Sequence, residues 1–278
     1  VEQLGSVYIV SNFATHSIEE IAAAAPKARK WFQLSIFKDR NISAAFVRRA
    51  DVAGFEAIVL SVDISVVGKR RDNRRKQFAL ADDIEIFSLP KTNFSISKKE
   101  SSAVHVDEIL DQSVTWKDLK WLRSITKLPI ILKGIMCPED AKLAIEYGAR
   151  AIFVSNHGGR QLDSVLPTIQ ALPAIVKAVS GRCEIYVDGG VSTGADVFKA
   201  LALGAKMVFV GRPILWGLSV DGQKGVKRVL EILRDELDST MALSGTPEVT
   251  DIYRKNLVHR PHLGRHGRHG RNGICTLV

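Results

Sequence analysis

Residues 184–212 read E-I-Y-V-D-G-G-V-S-T-G-A-D-V-F-K-A-L-A-L-G-A-K-M-V-F-V-G-R, and this stretch decides the fold. It opens on a short apolar run, turns at Gly189-Gly190, takes helical spacing over 194–203, and returns to an apolar run at 207–211. Short runs that are apolar on both faces, separated by a helix, make a βα unit of a parallel sheet covered by helices. The alternation continues towards the N-terminus. Strands are expected at 6–11, 31–37, 57–63, 129–133 and 151–155, which with 184–188 and 207–211 makes seven. Helices are expected near 18–25, 43–53, 116–126, 139–147, 168–178, 194–203 and 222–243. Ser17 with Glu20, and Thr115 with Asp118, have capping-box spacing, Pro138 suits a first helical turn, and Pro173 predicts a kink. A (β/α)₈ barrel takes eight strands in about 250 residues. The expected class is therefore α/β, a TIM (β/α)₈ barrel lacking its first strand, because the C-terminal side runs on into a long helix. The rival, an open doubly wound sheet, lacks a G-x-G-x-x-G after the first strand.

The 278 residues are 46% hydrophobic and 25% charged, which excludes a disordered or collagen-like chain. Lys and Arg number 39 against 30 Asp and Glu, and the +9 excess sits in two places. Residues 69–76, K-R-R-D-N-R-R-K, carry net +5, and Arg260, Arg265, Arg268 and Arg271 carry the other four charges. Cys137, Cys183 and Cys275 form no C-x-x-C and are odd in number, so no disulfide scaffold is expected. No apolar run reaches the roughly 18 residues of a membrane span. The domain is expected over 1–258, with a long connection at 64–114 that opens on the basic run, as lids and binding loops do. Residues 259–278 read as a basic, low-complexity tail, expected to be disordered. Its His259, His262, His266 and His269 lie among glycines without rigid geometry, so no metal site is expected.

Working residues of such barrels lie at the C-terminal ends of the strands. Those positions hold Ser11; Gln33 with Ser35; Ser61 with Asp63; Lys133; Ser155 through Arg160, which includes His157; Asp188-Gly189-Gly190; and Gly211-Arg212. A histidine, a lysine, carboxylates and two arginines at converging strand ends suit an anionic substrate and an acid/base step. D-G-G-V before a helix start near Thr193, with G-R-P after the next strand, would put backbone N–H groups, a helix N-terminus and Arg212 around one anion. Plainer readings stand beside these: Asp63 as a loop cap, Lys133 as a buried ion-pair lysine, and Arg70 as part of a solvated charged face. The basic run has no interleaved aromatics for base stacking, so no nucleic-acid partner is expected.

The blocks W-F-Q-L (31–34), S-V-D (61–63), P-I-I-L-K-G-I (129–135), V-S-N-H-G-G-R-Q-L-D (154–163), V-D-G-G-V-x-x-G-x-D-V-x-K-A-L-A-L-G-A (187–205) and F-V-G-R-P-I-L-W-G-L (209–218) carry a resemblance. Over 7–256 the chain is similar to the FMN-dependent 2-hydroxy-acid oxidases, the glycolate oxidase and hydroxyacid oxidase group. S-N-H-G-G-R-Q-L-D is the specific block, whereas D-G-G and G-R are shared by many phosphate-binding barrels. The resemblance implies a barrel of the FMN-dependent type, FMN as cofactor, and oxidation of a small (S)-2-hydroxy acid such as glycolate or lactate to the 2-oxo acid, with O2 reduced to hydrogen peroxide. It also implies a homotetramer and a peroxisomal setting, although Thr276-Leu277-Val278 is not an S-K-L-like terminus.

By the same resemblance His157 is the base and Asp63 orients it, while Arg160 and Arg70 grip the substrate carboxylate and Ser35 lies at the substrate. Lys133 stands beside the flavin ring; Ser11, Gln33, Ser61 and Ser155 contact FMN; Asp188, Gly189, Gly190, Val191, Ser192, Gly211 and Arg212 form its ribityl phosphate site. Family members usually carry tyrosine at the position of Ser35, arginine at Ser192 and threonine at Ser61. Their N-terminal region, with the first strand and a substrate-binding tyrosine, has no counterpart before Val1. Two alternatives follow: a truncated or degenerate relative that binds flavin or anion without turnover, and another barrel enzyme with a phosphorylated ligand. His157 with Arg160 speaks against the latter.

Overall fold

A computed structural model of the protein describes residues 1–69, 71, 75–76, 108–258 and 276–277. Seven strands form one sheet in chain order: β1 (Val7–Ser11), β2 (Arg29–Leu34), β3 (Ala57–Ser61), β4 (Ile130–Ile135), β5 (Ala151–Val154), β6 (Glu184–Val187) and β7 (Met207–Val208). Every neighbouring pair is parallel. The helices are α1 (Ile18–Ala24), α2 (Arg40–Val52), α3 (Trp116–Ile125), α4 (Pro138–Glu146), α5 (Thr168–Val179), α6 (Gly194–Ala202) and α7 (Arg212–Leu243).

Alternation along each strand divides the apolar side chains into two layers. Phe32, Leu34, Ile58, Leu60, Ile130, Leu132, Ile152, Val154, Ile185 and Val187 belong to the outer core under the helices. Trp31, Ala57, Val59, Ile131, Ala151, Phe153 and Tyr186 form the inner one. The ring of Trp31 on β2 lies 5.4 Å from that of Tyr186 on β6 and 5.7 Å from Phe209. In a flat sheet, strands four places apart would be about 19 Å apart. The sheet is therefore curled about this aromatic interior, as a (β/α)₈ barrel lacking its first strand. Burial, together with a 2.5 Å hydrogen bond from its hydroxyl to the Glu184 carboxylate, pushes the Tyr186 phenol above its ordinary range.

The element boundaries depart from the sequence reading in instructive places. β2 leaves the sheet at Leu34 because Ile36 to Lys38 meet the return of the long connection. Phe37 bridges Leu110 antiparallel, Asp111 N–H donates to the Ile36 carbonyl at 2.9 Å, and Lys38 N–H to that of Ile109 at 3.0 Å. Arg40 fastens this return by donating to Asp111 and Asp118, each at 2.6 Å. The helix expected to bend at Pro173 is the single element α5. A break that the sequence does not signal falls in α7, at Asp221 (φ −151°) and Gly222 (φ +50°, ψ −133°). A Cβ on Gly217 would come within 2.6 Å of the Gly225 carbonyl oxygen, so the chain reverses between them and α7 is two arms packed back to back. The sequence had legible only the second arm.

A separate pair, β8 (Leu257–Val258) and β9 (Thr276–Leu277), is antiparallel. The tail expected without structure spans 259–278, of which only 276–277 are described. Arg70, expected at the substrate, the four tail histidines and most of the long connection lie outside the described residues.

Candidate active site

At the C-terminal ends of β3 and β5 the chain builds a histidine–carboxylate pair. Parallel pairing extends one residue beyond β3, where Val62 N–H donates to the Lys133 carbonyl at 2.8 Å, and Asp63 follows. Opposite it, the pairing of β4 with β5 shifts register between Lys133 and Ile135, as a bulge does. Gly134, at the bulge, has φ +113°, and a Cβ there would lie 2.7 Å from that of Asp63. Glycine at 134 thus supplies both the irregular backbone and the space for the carboxylate.

After β5, His157 (φ +56°), Gly158 (φ +66°) and Gly159 (φ +74°) are left-handed in succession. For a non-glycine residue such as His157 this costs about 1–2 kcal/mol. Side chains hold the turn: Ser155 Oγ accepts from His157 N–H at 3.1 Å, and Asn156 Oδ1 accepts from Gly159 N–H at 3.2 Å. The imidazole is thereby aimed at Asp63, with Nδ1 at 3.2 Å and 3.1 Å from the two carboxylate oxygens. Their side chains are 23% and 12% exposed, so the pair is shielded yet reachable. With Nδ1 committed to the carboxylate, Nε2 is the ring atom that can take a proton.

A second cluster adjoins the first. Lys133 donates to Ser155 Oγ at 2.8 Å, forms an ion pair with Asp188 Oδ2 at 3.3 Å, and sits 5.5 Å from the centre of the Phe153 ring. Ser155 therefore touches both the lysine and the backbone of the histidine turn. Thr168 Oγ1 donates to the carbonyls of Asp188 and Gly189 at 2.6 and 3.2 Å, which fixes the turn after β6. Asp188 Oδ1 is buried and has no hydrogen-bond partner among the described residues. A buried carboxylate oxygen without a donor points to a ligand group that supplies one.

Three of the expected site serines make hydrogen bonds within the protein. Gln33 Nε2 donates to Ser35 Oγ and Ser61 Oγ, both at 3.1 Å. Ser35, expected at the substrate, is 2% exposed, so it braces Gln33 and does not face the open mouth. Ser61 and Ser155, expected to contact the ligand, are buried as well and accept hydrogen bonds from Gln33 and Lys133. Ser11 is exposed, and its hydroxyl accepts from Phe13 N–H at 3.1 Å.

Part of the expected anion cradle is engaged within the protein. Ser192 and Thr193 N–H both donate to Asp196 Oδ2 at 3.1 Å, and Gly194 N–H donates to the Glu236 carboxylate at 2.7 Å. Two carboxylates of the protein thus take up three backbone N–H groups at the N-terminus of α6. Gly189, Gly190 and Val191 after β6, and Gly211 with Arg212 at the start of α7, are the other expected members. Arg212 reaches back to donate to the Gly158 carbonyl at 2.7 Å, which joins the cradle to the histidine turn. The Arg160 side chain is exposed and makes no hydrogen bond among the described residues. Asn156 stands among the strand-end residues without an expected role of its own, and Thr168 and Gln161 carry none from sequence. The first and last stand inside the N-H-G-G-R-Q-L-D block, whereas Thr168 acts on residues twenty positions away and carries no local signal.

Comparisons with known proteins place the chain in a family. Residues 1–259 match the family model described as FMN-dependent dehydrogenase. The chain is 46% identical to human 2-hydroxyacid oxidase 1 over 265 residues, covering 93% of this chain and 71% of the relative. It is 48% identical to glycolate oxidase 3 of Arabidopsis thaliana over 261 residues, covering 91% and 69%. Among solved structures, mandelate oxidase with (S)-4-hydroxymandelic acid superposes with a TM-score of 0.85 at 41% identity, covering 91% of this chain and 71% of that one.

Proposed function

Since the chain belongs to the family of FMN-dependent dehydrogenases, we propose that it oxidises a small (S)-2-hydroxy acid of the glycolate or lactate type to the 2-oxo acid, with O2 as terminal acceptor and hydrogen peroxide as product. The observation that carries this reading is the Asp63–His157 pair beside the Lys133–Asp188 ion pair, four residues from four strand ends drawn together. FMN, when bound, supplies the two-electron acceptor. The residues present fit it: Asp188 Oδ1 awaits a donor such as a polyol hydroxyl, Lys133 offers a cation, and Gly189, Gly190, Gly211 and Arg212 offer donors for a phosphate.

The residues of the chain divide the remaining work. Arg160, exposed in the loop after β5, offers a guanidinium that can grip a carboxylate through a bidentate fork. His157 Nε2 takes a proton from the substrate, and Asp63 holds the ring in one tautomer and balances the imidazolium that forms. Ser155 links the two clusters, so a shift of Lys133 is felt at the backbone of His157.

The test is to add FMN to the protein and record its visible spectrum before and after anaerobic addition of glycolate, lactate and a long-chain 2-hydroxy acid. Bleaching with one of them is the expected result. Bound flavin that never bleaches would favour a relative that binds FMN without turnover, a reading that the burial of Ser35 supports, and failure to bind flavin would sink both. Lys133→Met is expected to slow bleaching by about 10²-fold, as removal of one preorganised electrostatic donor does. It is also expected to lower stability by about 1–3 kcal/mol, because Asp188 is left without its cation. Stopped-flow absorbance and urea denaturation measure the two effects.

A further inference from the structure

Asp63 to Val66 lie in no helix or strand, yet they carry the carboxylate on which the histidine depends. One side chain spans this segment from the opposite loop. Gln161 Nε2 donates to the carbonyl of Asp63 at 3.1 Å and to that of Val66 at 2.9 Å. Its Oε1 accepts from Gly68 N–H at 3.3 Å. Both amide hydrogens and the amide oxygen are thus used on three residues of one segment, a pattern that among side chains of this size only an uncharged amide provides. Gly68 shows independently that the segments are built to touch. A Cβ there would overlap the Arg160 carbonyl oxygen and come within 2.9 Å of Gln161 Cα.

We propose that Gln161 is a positioning residue for the proton-transfer step: it fixes the backbone at Asp63 so that the carboxylate stays on His157 Nδ1. The inference rests on the oxidase reading for its kinetic part. Gly134 confines Asp63 from one side, and Gln161 holds its carbonyl and the next turn of chain from the other. Because Gln161 lies four residues after His157 in the same loop, the base and the strap that steadies its partner move together.

The experiment uses the FMN-loaded full chain and reads the anaerobic rate of flavin bleaching in Gln161→Ala, Asp63→Asn and the double variant. Gln161→Ala is expected to lower kcat about 10- to 100-fold, the loss that misplacement by about 1 Å brings, with KM and FMN affinity little changed. The double variant is expected to be no slower than Asp63→Asn, since a strap that acts only through Asp63 has nothing further to lose. Full additivity, or an unchanged kcat in Gln161→Ala, overturns the proposal. Gly68→Ala, which drives the segments apart from the other side, serves if Gln161→Ala does not fold, and a wild-type kcat there also overturns it. In ¹⁵N-histidine-labelled protein without substrate, the hydrogen-bonded Nδ1–H proton of His157 is expected to be resolved in the wild type and lost to exchange in Gln161→Ala. That resonance decides the proposal even if the wild-type flavin never bleaches, in which case the oxidase reading alone falls; a resonance that survives the substitution overturns the strap.

Discussion

His157→Gln leaves FMN bound and lowers the rate at which a 2-hydroxy acid bleaches it by about 10²–10⁴-fold, the range a positioned general base contributes. Glutamine keeps the size and a donor that can still face Asp63, but it cannot take up a proton near neutral pH. The ring's hydrogen bonds go to Asp63, while Ser155 links the Lys133–Asp188 pair to the histidine backbone. Cofactor retention and loss of turnover should therefore separate. The left-handed backbone at position 157 strains histidine and glutamine alike, so folding is expected to change little. Anaerobic stopped-flow with flavin titration measures both quantities. Loss of flavin in place of loss of rate would mean that the histidine supports the cofactor and that the base lies elsewhere.

Phe153→Ala is expected to lower stability by about 3–5 kcal/mol, the usual loss for a buried phenylalanine. Phe153 is fully buried in the interior layer, with ring centres 4.8 Å from Phe209 and 6.2 Å from Tyr186. Its neighbours, Tyr186 on β6 and Phe209 just past β7, are held by a curled sheet and cannot close the cavity cheaply. The same ring lies beneath the Lys133 ammonium, so the variant should also bind FMN more weakly than its stability alone predicts. Urea denaturation with an unchanged slope reads the first effect, and flavin fluorescence the second. Phe153→Leu keeps most of the volume and should lose less than about 2 kcal/mol. A loss below about 1 kcal/mol in Phe153→Ala would show that the interior is loosely packed at this level.

The strands were legible because parallel strands buried on both faces leave continuous apolar runs, and the gathering of His157, Asp63 and Lys133 at one end was legible because strand ends mark one face of such a sheet. What sequence did not show were relations between distant side chains. A serine at a strand end reads the same whether it faces the mouth or a neighbour, so Ser35 could be placed at the rim but its burial against Gln33 could not. The N-terminus of α6 looked open because one of the carboxylates that fills it, Glu236, arrives 42 residues later on the second arm of α7. That arm is delivered by the reversal at Asp221–Gly222, which a helical pattern running from Arg212 does not announce. Gln161 stood in the most specific block of the chain, yet its partners lie 93 to 98 residues earlier.

The strictly sequential order of β1 to β7 also bears on how the molecule is made. Each strand, as it leaves the ribosome, finds its template already laid down by the one before, so the sheet can lengthen from one edge without waiting for later sequence. Most of these pairings cross a single helix, but that of β3 with β4 must close the long connection between Ser61 and Ile130, and parallel pairing across such a loop is slow. The interior is on a different clock, because Trp31 from the second strand meets Tyr186 from the sixth and Phe209 beyond the seventh. A nascent chain halted before Glu184 lacks both of those rings, so the indole's emission is expected to shift further to the blue when the last strands arrive, which makes Trp31 a timestamp for closure.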